Sequence, residues 1–460
     1  MDSQFDLVVV GAGVAGLTAA RRAQQLGARV ALIERSTNIV GAGNMVLSAG
    51  WFHAAYRSPL TDPEELIDAI TAATDGQTRP DLARAWATTV GRAFRFLSEE
   101  GANFSPLRRF ETAETFVLEP VTYGTRIGRP WQGGGPHRLS DRLTARFRAD
   151  GGTLLRSTRA ADLILHDGRV SGVVVAALDG QHRDVAARDV LLADGGFQAE
   201  PDLVKRYITS AYRLRGGSGD RGDGLIMGLS AGGMAVQMRG FYGHCLFGDS
   251  TRDDRLWPEP EPSALLSVGV VVGPDGHRFA DEALGNHLLA AAIAAHPHPA
   301  DCWLVFDEQA WQNDGRKGLL PANPTLPELQ ATVLHADGIS DLAMACRLPP
   351  DALSRSIEVL AGYADGVPRS GTVRRLLPPY HAVSLIAGIT FTLGGLLVDS
   401  RARVLDHDEQ PIPGLLAAGG TMGGLNGGPK SGYAGGWSEA ASFGLLAAET
   451  TAGRTNMIHA

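Results

Sequence analysis

Apolar and polar positions along the first 34 residues change from strand-like to helical spacing and back. Residues 7–10 (Leu-Val-Val-Val) form a short unbroken apolar run with the length and β-branching of a buried strand. Across residues 15–26 the apolar positions recur with helical spacing, and Gly27 ends that pattern. A second apolar run at 30–33 then stops at Glu34. Mainly helical patterns follow at 63–100 and 137–149. Residues 153–198 read as a three-stranded meander with turns at His166-Asp167-Gly168 and Asp179-Gly180. A helix rich in Gly, Ala and Met is predicted at 224–234. The stretch WPEPEP at 257–262 can continue neither a helix nor a central strand, and it opens a separate segment of strand, turn and helices up to residue 368. Residues 383–449 return to tight glycine-rich strands and close with an alanine-rich helix at 438–449. The pattern predicts an α/β fold, with a nucleotide domain built from 1–240 and 369–460 and an α+β substrate domain, 241–368, inserted between them.

The turn between the first strand and the first helix carries the chemistry. Gly11, Gly13 and Gly16 stand in GxGxxG spacing, with Ala15 inside the opening turn of the helix. The first glycine permits a tight turn, the second lets a pyrophosphate approach the backbone, and the third brings helix close to strand. The free N–H groups of the helix start stabilise phosphate charge. Glu34, followed by Arg35, stands where a carboxylate accepts hydrogen bonds from a ribose diol. A dinucleotide cofactor is therefore expected.

Composition narrows the alternatives. Of 460 residues 58 are glycine, nearly double the typical share of about 7%. They cluster at 133–135, 216–224 and 419–436, which points to backbone packed against a ligand. A net charge of −8 with no basic run argues against nucleic acid as a partner. Cys245, Cys302 and Cys346 are scattered, so neither a disulfide framework nor a metal site is expected. The chain enters its first strand without room for a signal peptide, and no apolar stretch is long enough to span a bilayer. A cytoplasmic setting is the expectation.

Further motifs resemble the flavoprotein family of fumarate reductases, succinate dehydrogenases, 3-ketosteroid dehydrogenases and tricarballylate dehydrogenases. Ala42-Gly43-Asn44 with Ser48-Ala49-Gly50 is similar to the family's GGNS…SGG loop, which wraps pyrophosphate and flavin. LLADGGF at 191–197, with Ala193, Asp194 and Gly195, is similar to its ATGGF strand end, although Asp194 replaces a small hydroxyl residue. Gly222-Asp223-Gly224 is like its GDG turn, and Arg278-Phe279 with Asp281-Glu282 resembles its RFxxE element. GITFTLGGL at 388–396, with Gly394, and PGLLAAGG at 413–420, with Gly419 and Gly420, match the strands beneath the flavin ring. Gly420 stands where the family has Glu. Gly435, Gly436, Trp437 and Ser438 open the last helix, whose N–H groups are suited to the negative charge of a reduced flavin. Ala161 on the meander completes the expected cofactor contacts.

The resemblance implies a Rossmann-like FAD-binding domain with an inserted cap, and hydride transfer between flavin N5 and a C–C bond beside a carbonyl. His53 lies beyond the position of the family's covalent attachment histidine, so non-covalent FAD is expected. The family's proton-donating Arg, eight residues after the RF arginine, is Asn286 here, followed by His287. Its substrate histidine before the TxGG strand is Phe391, its C-terminal arginine corresponds to Lys430, and its second substrate histidine is kept as His244. Pro378-Pro379-Tyr380-His381 resembles the PPYYAV segment of cyclic-ketone dehydrogenases, in which a Tyr polarises the ketone. Candidate acid–base groups are thus His381, Tyr380, His244, Lys430 and His287, with Trp51, Phe52, Trp131 and Trp437 as aromatic walls. The expected reaction is desaturation of a cyclic or partly apolar ketone, or its reverse. A tricarballylate-type dehydrogenase and a flavin-binding protein without turnover are the alternatives. The expected partner is a small carbonyl substrate with an unassigned electron acceptor. No second dinucleotide fingerprint is present for a tightly bound NAD(P)H.

Overall fold

The computed structural model describes residues 5–37, 41–110, 113–121, 133–318, 320–358, 367–370 and 374–458. Strand β1 (Phe5–Val10), helix α1 (Val14–Gln25) and strand β2 (Val30–Glu34) form the predicted N-terminal unit. β1 runs parallel to β2 on one side and to the strand His182–Leu192 on the other. Beyond β2 lies Thr153–Arg156, and beyond His182–Leu192 lies Pro411–Ala417, both parallel. A strand from the C-terminal part of the chain thus lies in the first sheet. β1 and β2 are apolar on both faces because both faces are covered. α1 packs against the C-terminal helix Gly436–Ile458, and Arg22 reaches Glu449 on that helix at 3.1 Å.

Two features differ from the sequence pattern. The predicted meander is split at Ser157, whose φ of +51° breaks the first run. Thr153–Arg156 joins the parallel sheet, whereas Thr158–His166, Arg169–Ala177 and His182–Leu192 form antiparallel hairpins. The second difference is the long strand Tyr380–Thr392. It is the centre of a second sheet, where it pairs with Phe241–Phe247, Cys302–Asp307, Leu334–Ala336 and Arg213–Leu214. The expected boundary near 368 therefore falls before a strand that belongs with the middle segment.

The RFxxE element is a buried brace within this second part. Arg278 Nη2 meets Glu282 Oε2 at 2.8 Å, and Arg369 Nη1 meets the same oxygen at 2.8 Å. All three cysteines are buried free thiols. Among the described residues no helix is long and apolar enough to cross a membrane, and no cluster of His, Cys, Asp or Glu is placed to hold a metal.

Candidate active site

A cavity of about 1130 Å3 is lined by residues of both sheets. Its nucleotide end is built on the β1–α1 turn. Gly11 has φ +99°, and a side chain there would strike Ala193 O at 2.5 Å. Gly16 lies beneath the turn, where a Cβ would sit 1.9 Å from Gly11 O. By contrast a Cβ on Gly13 meets nothing within 4 Å, because Gly13 faces the open cavity. That open backbone beside a helix N-terminus is a cradle for pyrophosphate. Glu34 is buried at the end of β2, and its Oε2 accepts from Ala12 N at 3.0 Å while Oε1 accepts from Ser36 N at 2.7 Å. Each oxygen keeps a lone-pair direction for a ribose hydroxyl.

The glycine loop after β2 is tied down by side chains. Asn44 Nδ2 donates to Thr390 O at 2.9 Å, and its Oδ1 accepts from Gly217 N at 2.6 Å. Trp437 Nε1 donates to Ser48 Oγ at 2.8 Å, bringing the C-terminal helix onto the same loop. Asp194 explains its own departure from the family pattern. Its Oδ2 accepts from Gly224 N at 2.7 Å, capping the helix Asp223–Ser230. Burial pushes its carboxyl up to about 6. Burial, with Asp194 nearby, also raises the carboxyl of Asp220, which accepts from Gln198 Nε2 at 2.5 Å.

Of the expected cofactor residues, Gly11, Gly13, Ala15, Glu34, Arg35 and Gly43 line the cavity, as do Asn44, Ser48, Ala49, Ala193, Asp194 and Gly195. Gly419, Gly420, Gly436 and Trp437 line its C-terminal wall. The described lining does not include Gly16, Gly50, Ala161, Gly394 or Ser438. Gly50 packs against Leu118 and Gly394 against the Gln237 backbone. Ala160 takes the place expected of Ala161, which is the extra residue of a β-bulge between Ala160 and Asp162. Ser438 Oγ turns back to Ala434 O and Gly435 O.

The catalytic expectations need more correction. His244 and His287 line the cavity. The two ring nitrogens of His287 face backbone carbonyls, Nδ1 at 3.1 Å from Gly243 O and Nε2 at 3.2 Å from Ser431 O. Tyr380 and His381 do not line the cavity. They start the strand whose other end, Thr390–Phe391–Thr392, does. At about 3.3 Å per residue, roughly 35 Å of strand separates the two ends. His381 Nε2 instead bonds Glu308 Oε2 at 2.6 Å. Lys430 faces solvent, with its Nζ on Asp75 Oδ1 at 2.7 Å. Of the aromatic candidates, Trp51 and Trp437 line the cavity, Phe52 is core, and Trp131 lies outside the described residues.

Tyr242, Tyr433, Arg215, Glu259 and Glu261, which the motifs did not single out, join Phe391 and Asn286 opposite the cofactor loops. Tyr242 stacks on Phe391 with ring centroids 5.0 Å apart, and Tyr433 lies 4.8 Å from Tyr242. His53, fully buried, receives Tyr56 N–H on Nδ1 at 3.0 Å. Its proton therefore sits on Nε2, 3.1 Å from Tyr433 Oη. Burial pushes the imidazole down to about 3, so it is neutral. Both nitrogens are engaged within the protein, which leaves neither for a bond to a cofactor. Arg215, Glu259, Glu261 and Asn286 complete this half of the cavity. Two features of the sequence bear on them, Tyr433 within the C-terminal glycine cluster and the proline-bracketed acids of WPEPEP, whose pattern by itself predicts only a break.

The FAD binding domain family matches residues 6–433 of the chain. A fumarate reductase (cytochrome) of Shewanella frigidimarina is 27% identical, aligned over 97% of this chain and 77% of its own length. A 4-oxocyclohexanecarboxylate 2-dehydrogenase of Sinomonas cyclohexanicum is 26% identical, aligned over 98% of this chain and 93% of its own length. The fold is similar to that of a 3-ketosteroid Δ1-dehydrogenase from Sterolibacterium denitrificans, with TM-score 0.75 and 21% identity, covering 98% of this chain and 99% of that one. With a glycine cradle, a ribose-ready Glu34 and this family match, the chain belongs to the FAD binding domain family and FAD is its cofactor.

Proposed function

We propose that the protein is an FAD-dependent oxidoreductase acting on a CH–CH group beside a carbonyl, in a small, uncharged and partly apolar substrate. Bound FAD supplies the hydride acceptor or donor. In this reading Phe391 and Tyr242 form an apolar platform for the substrate ring. Tyr433 donates a hydrogen bond to the carbonyl, since its oxygen already receives the His53 proton and its own hydroxyl proton is left to give. His244, on the strand Phe241–Phe247, handles the proton on the neighbouring carbon. The same reading makes the second sheet a cap inserted between two segments of an FAD-binding domain, with the cap extending through Thr392.

The observation that carries the proposal is the pairing of charge. In the substrate half of the cavity Arg215 already meets Glu261 and Lys317 meets Asp314, while Arg35 and Arg159 share Asp223 beside the nucleotide cradle, so among the described residues a small dianion finds no unpaired cation at the substrate end. Desolvating a dianion without one is costly, whereas a ketone needs one or two donors. Steady-state reduction of an artificial dye tests this, with cyclohexanone-type and steroid-type ketones set against succinate and tricarballylate. The proposal expects the ketones to be the better substrates by kcat/KM and Tyr433→Phe to lower kcat. Preferred turnover of a polycarboxylate would overturn it.

A further inference from the structure

We propose that Glu261, seconded by Glu259, is a specificity determinant that masks Arg215 and bars dicarboxylates from the substrate half of the cavity. This rests on the reading of an uncharged substrate given above.

Arg215 directly follows the strand Arg213–Leu214 and is held to the second sheet by its own N–H on Ile389 O at 2.7 Å. Its side chain, only 17% exposed, lies in the cavity wall. Left alone it would be a fork well shaped for a carboxylate. It is not left alone. Nη2 donates to Glu261 Oε1 at 2.7 Å, and Nη1 donates to Thr390 Oγ1 at 3.2 Å. Glu261 is itself fixed, receiving Asn286 Nδ2 and Ser263 Oγ on Oε2, each at 3.4 Å. His244 Nδ1 lies 3.8 Å from Oε1 of the same carboxylate.

Glu259 lines the same cavity two residues earlier, and it interacts electrostatically with both Glu261 and Arg215. Pro258, Pro260 and Pro262 bracket the two acids, and their fixed φ lowers the entropy lost in holding them against Arg215. Two carboxyl groups thus face one guanidinium. An incoming dianion must displace Glu261 from its ion pair or sit beside the Glu261 carboxylate, and either arrangement is unfavourable. The other cations of the lining offer no substitute. Arg35 and Arg159 share the one carboxylate of Asp223 at the nucleotide end, beside Glu34, and Lys317 Nζ is on Asp314 at 2.6 Å.

Isothermal titration of the FAD-loaded protein with fumarate tests the masking, with flavin occupancy and Tm confirming that each variant is folded. Glu261→Gln keeps the shape and removes the charge, and it is expected to bind fumarate at least tenfold more tightly than the parent protein. Glu261→Gln combined with Arg215→Met is expected to lose that gain. A flavin-loaded Glu261→Gln protein that binds fumarate no more tightly overturns the proposal, as does a gain that survives removal of Arg215. If Glu261→Gln does not load flavin, Glu259→Gln carries the test: a severalfold gain supports the masking and no gain overturns it. Tight fumarate binding by the parent protein would overturn the uncharged-substrate reading as well, which separates the two failures.

Discussion

Glu34 holds two backbone amides as well as its place beside the cofactor cavity, so its loss acts twice. In Glu34→Ala the N–H groups of Ala12 and Ser36 lose their acceptor, and the ribose hydroxyls lose theirs. The expected decrease in FAD affinity is about 1–3 kcal/mol, read by titrating the stripped protein with FAD. Unchanged affinity would remove Glu34 from the site. His53 makes a different prediction. Folded, it titrates at about 3, against about 6.5 when unfolded. The neutral form is therefore favoured by folding, and its contribution is fully present above pH 6.5. It is lost as pH falls from 6.5 towards 3, at about 1.4 kcal/mol per pH unit. Gln in its place can accept from Tyr56 and donate to Tyr433, so His53→Gln should flatten that part of the stability–pH profile. Denaturant melts at pH 7 and pH 5 measure the difference, and identical slopes in the two proteins would contradict the burial argument.

Asn44 works between elements. It joins the loop after β2 to the glycine segment at 216–217 and to the end of the strand Tyr380–Thr392. Asn44→Ala should weaken FAD binding and lower Tm by a degree or two, at about 1 °C per kcal/mol for a chain of 460 residues. A variant with parental Tm and FAD affinity would show that the loop is held by other contacts. Element by element, the N-terminal unit was legible in the sequence because strand, glycines, helix and acid report one local geometry. The cofactor loops were legible for the same reason, and Asp194 stands out in its motif, although its role as a helix cap is visible only in the fold. Tyr380 and His381 misled because a motif gives identity without distance. Thirteen residues of strand carry them far from Phe391, and only pairing with Cys302–Asp307 and Phe241–Phe247 reveals it. The strand was also hard to assign to a domain, since its residues are apolar on both faces and show no alternation. Tyr433, Arg215 and the two acids were illegible as a group because they come from segments scattered over some two hundred residues, and only the second sheet assembles them.

At the scale of the whole molecule, one cavity spans both sheets, with a nucleotide end on the first and an aromatic, charge-compensated end on the second. Because both nitrogens of His53 are engaged, purified protein is expected to be yellow and to release intact FAD when denatured. Flavin retained on the unfolded chain, seen by absorbance after gel filtration in denaturant, would contradict this. The charge pairing at the far end leads to the central claim, that the reacting C–C bond sits beside a carbonyl in an uncharged substrate. Its most direct test needs no knowledge of the physiological electron partner. The bound flavin is reduced anaerobically with dithionite and mixed in a stopped-flow instrument with 2-cyclohexenone or with fumarate, and the return of the oxidised flavin spectrum is timed. Faster reoxidation by the enone, by tenfold or more and slowed in Tyr433→Phe, is the result expected; faster reoxidation by fumarate, unaffected by that substitution, would contradict it.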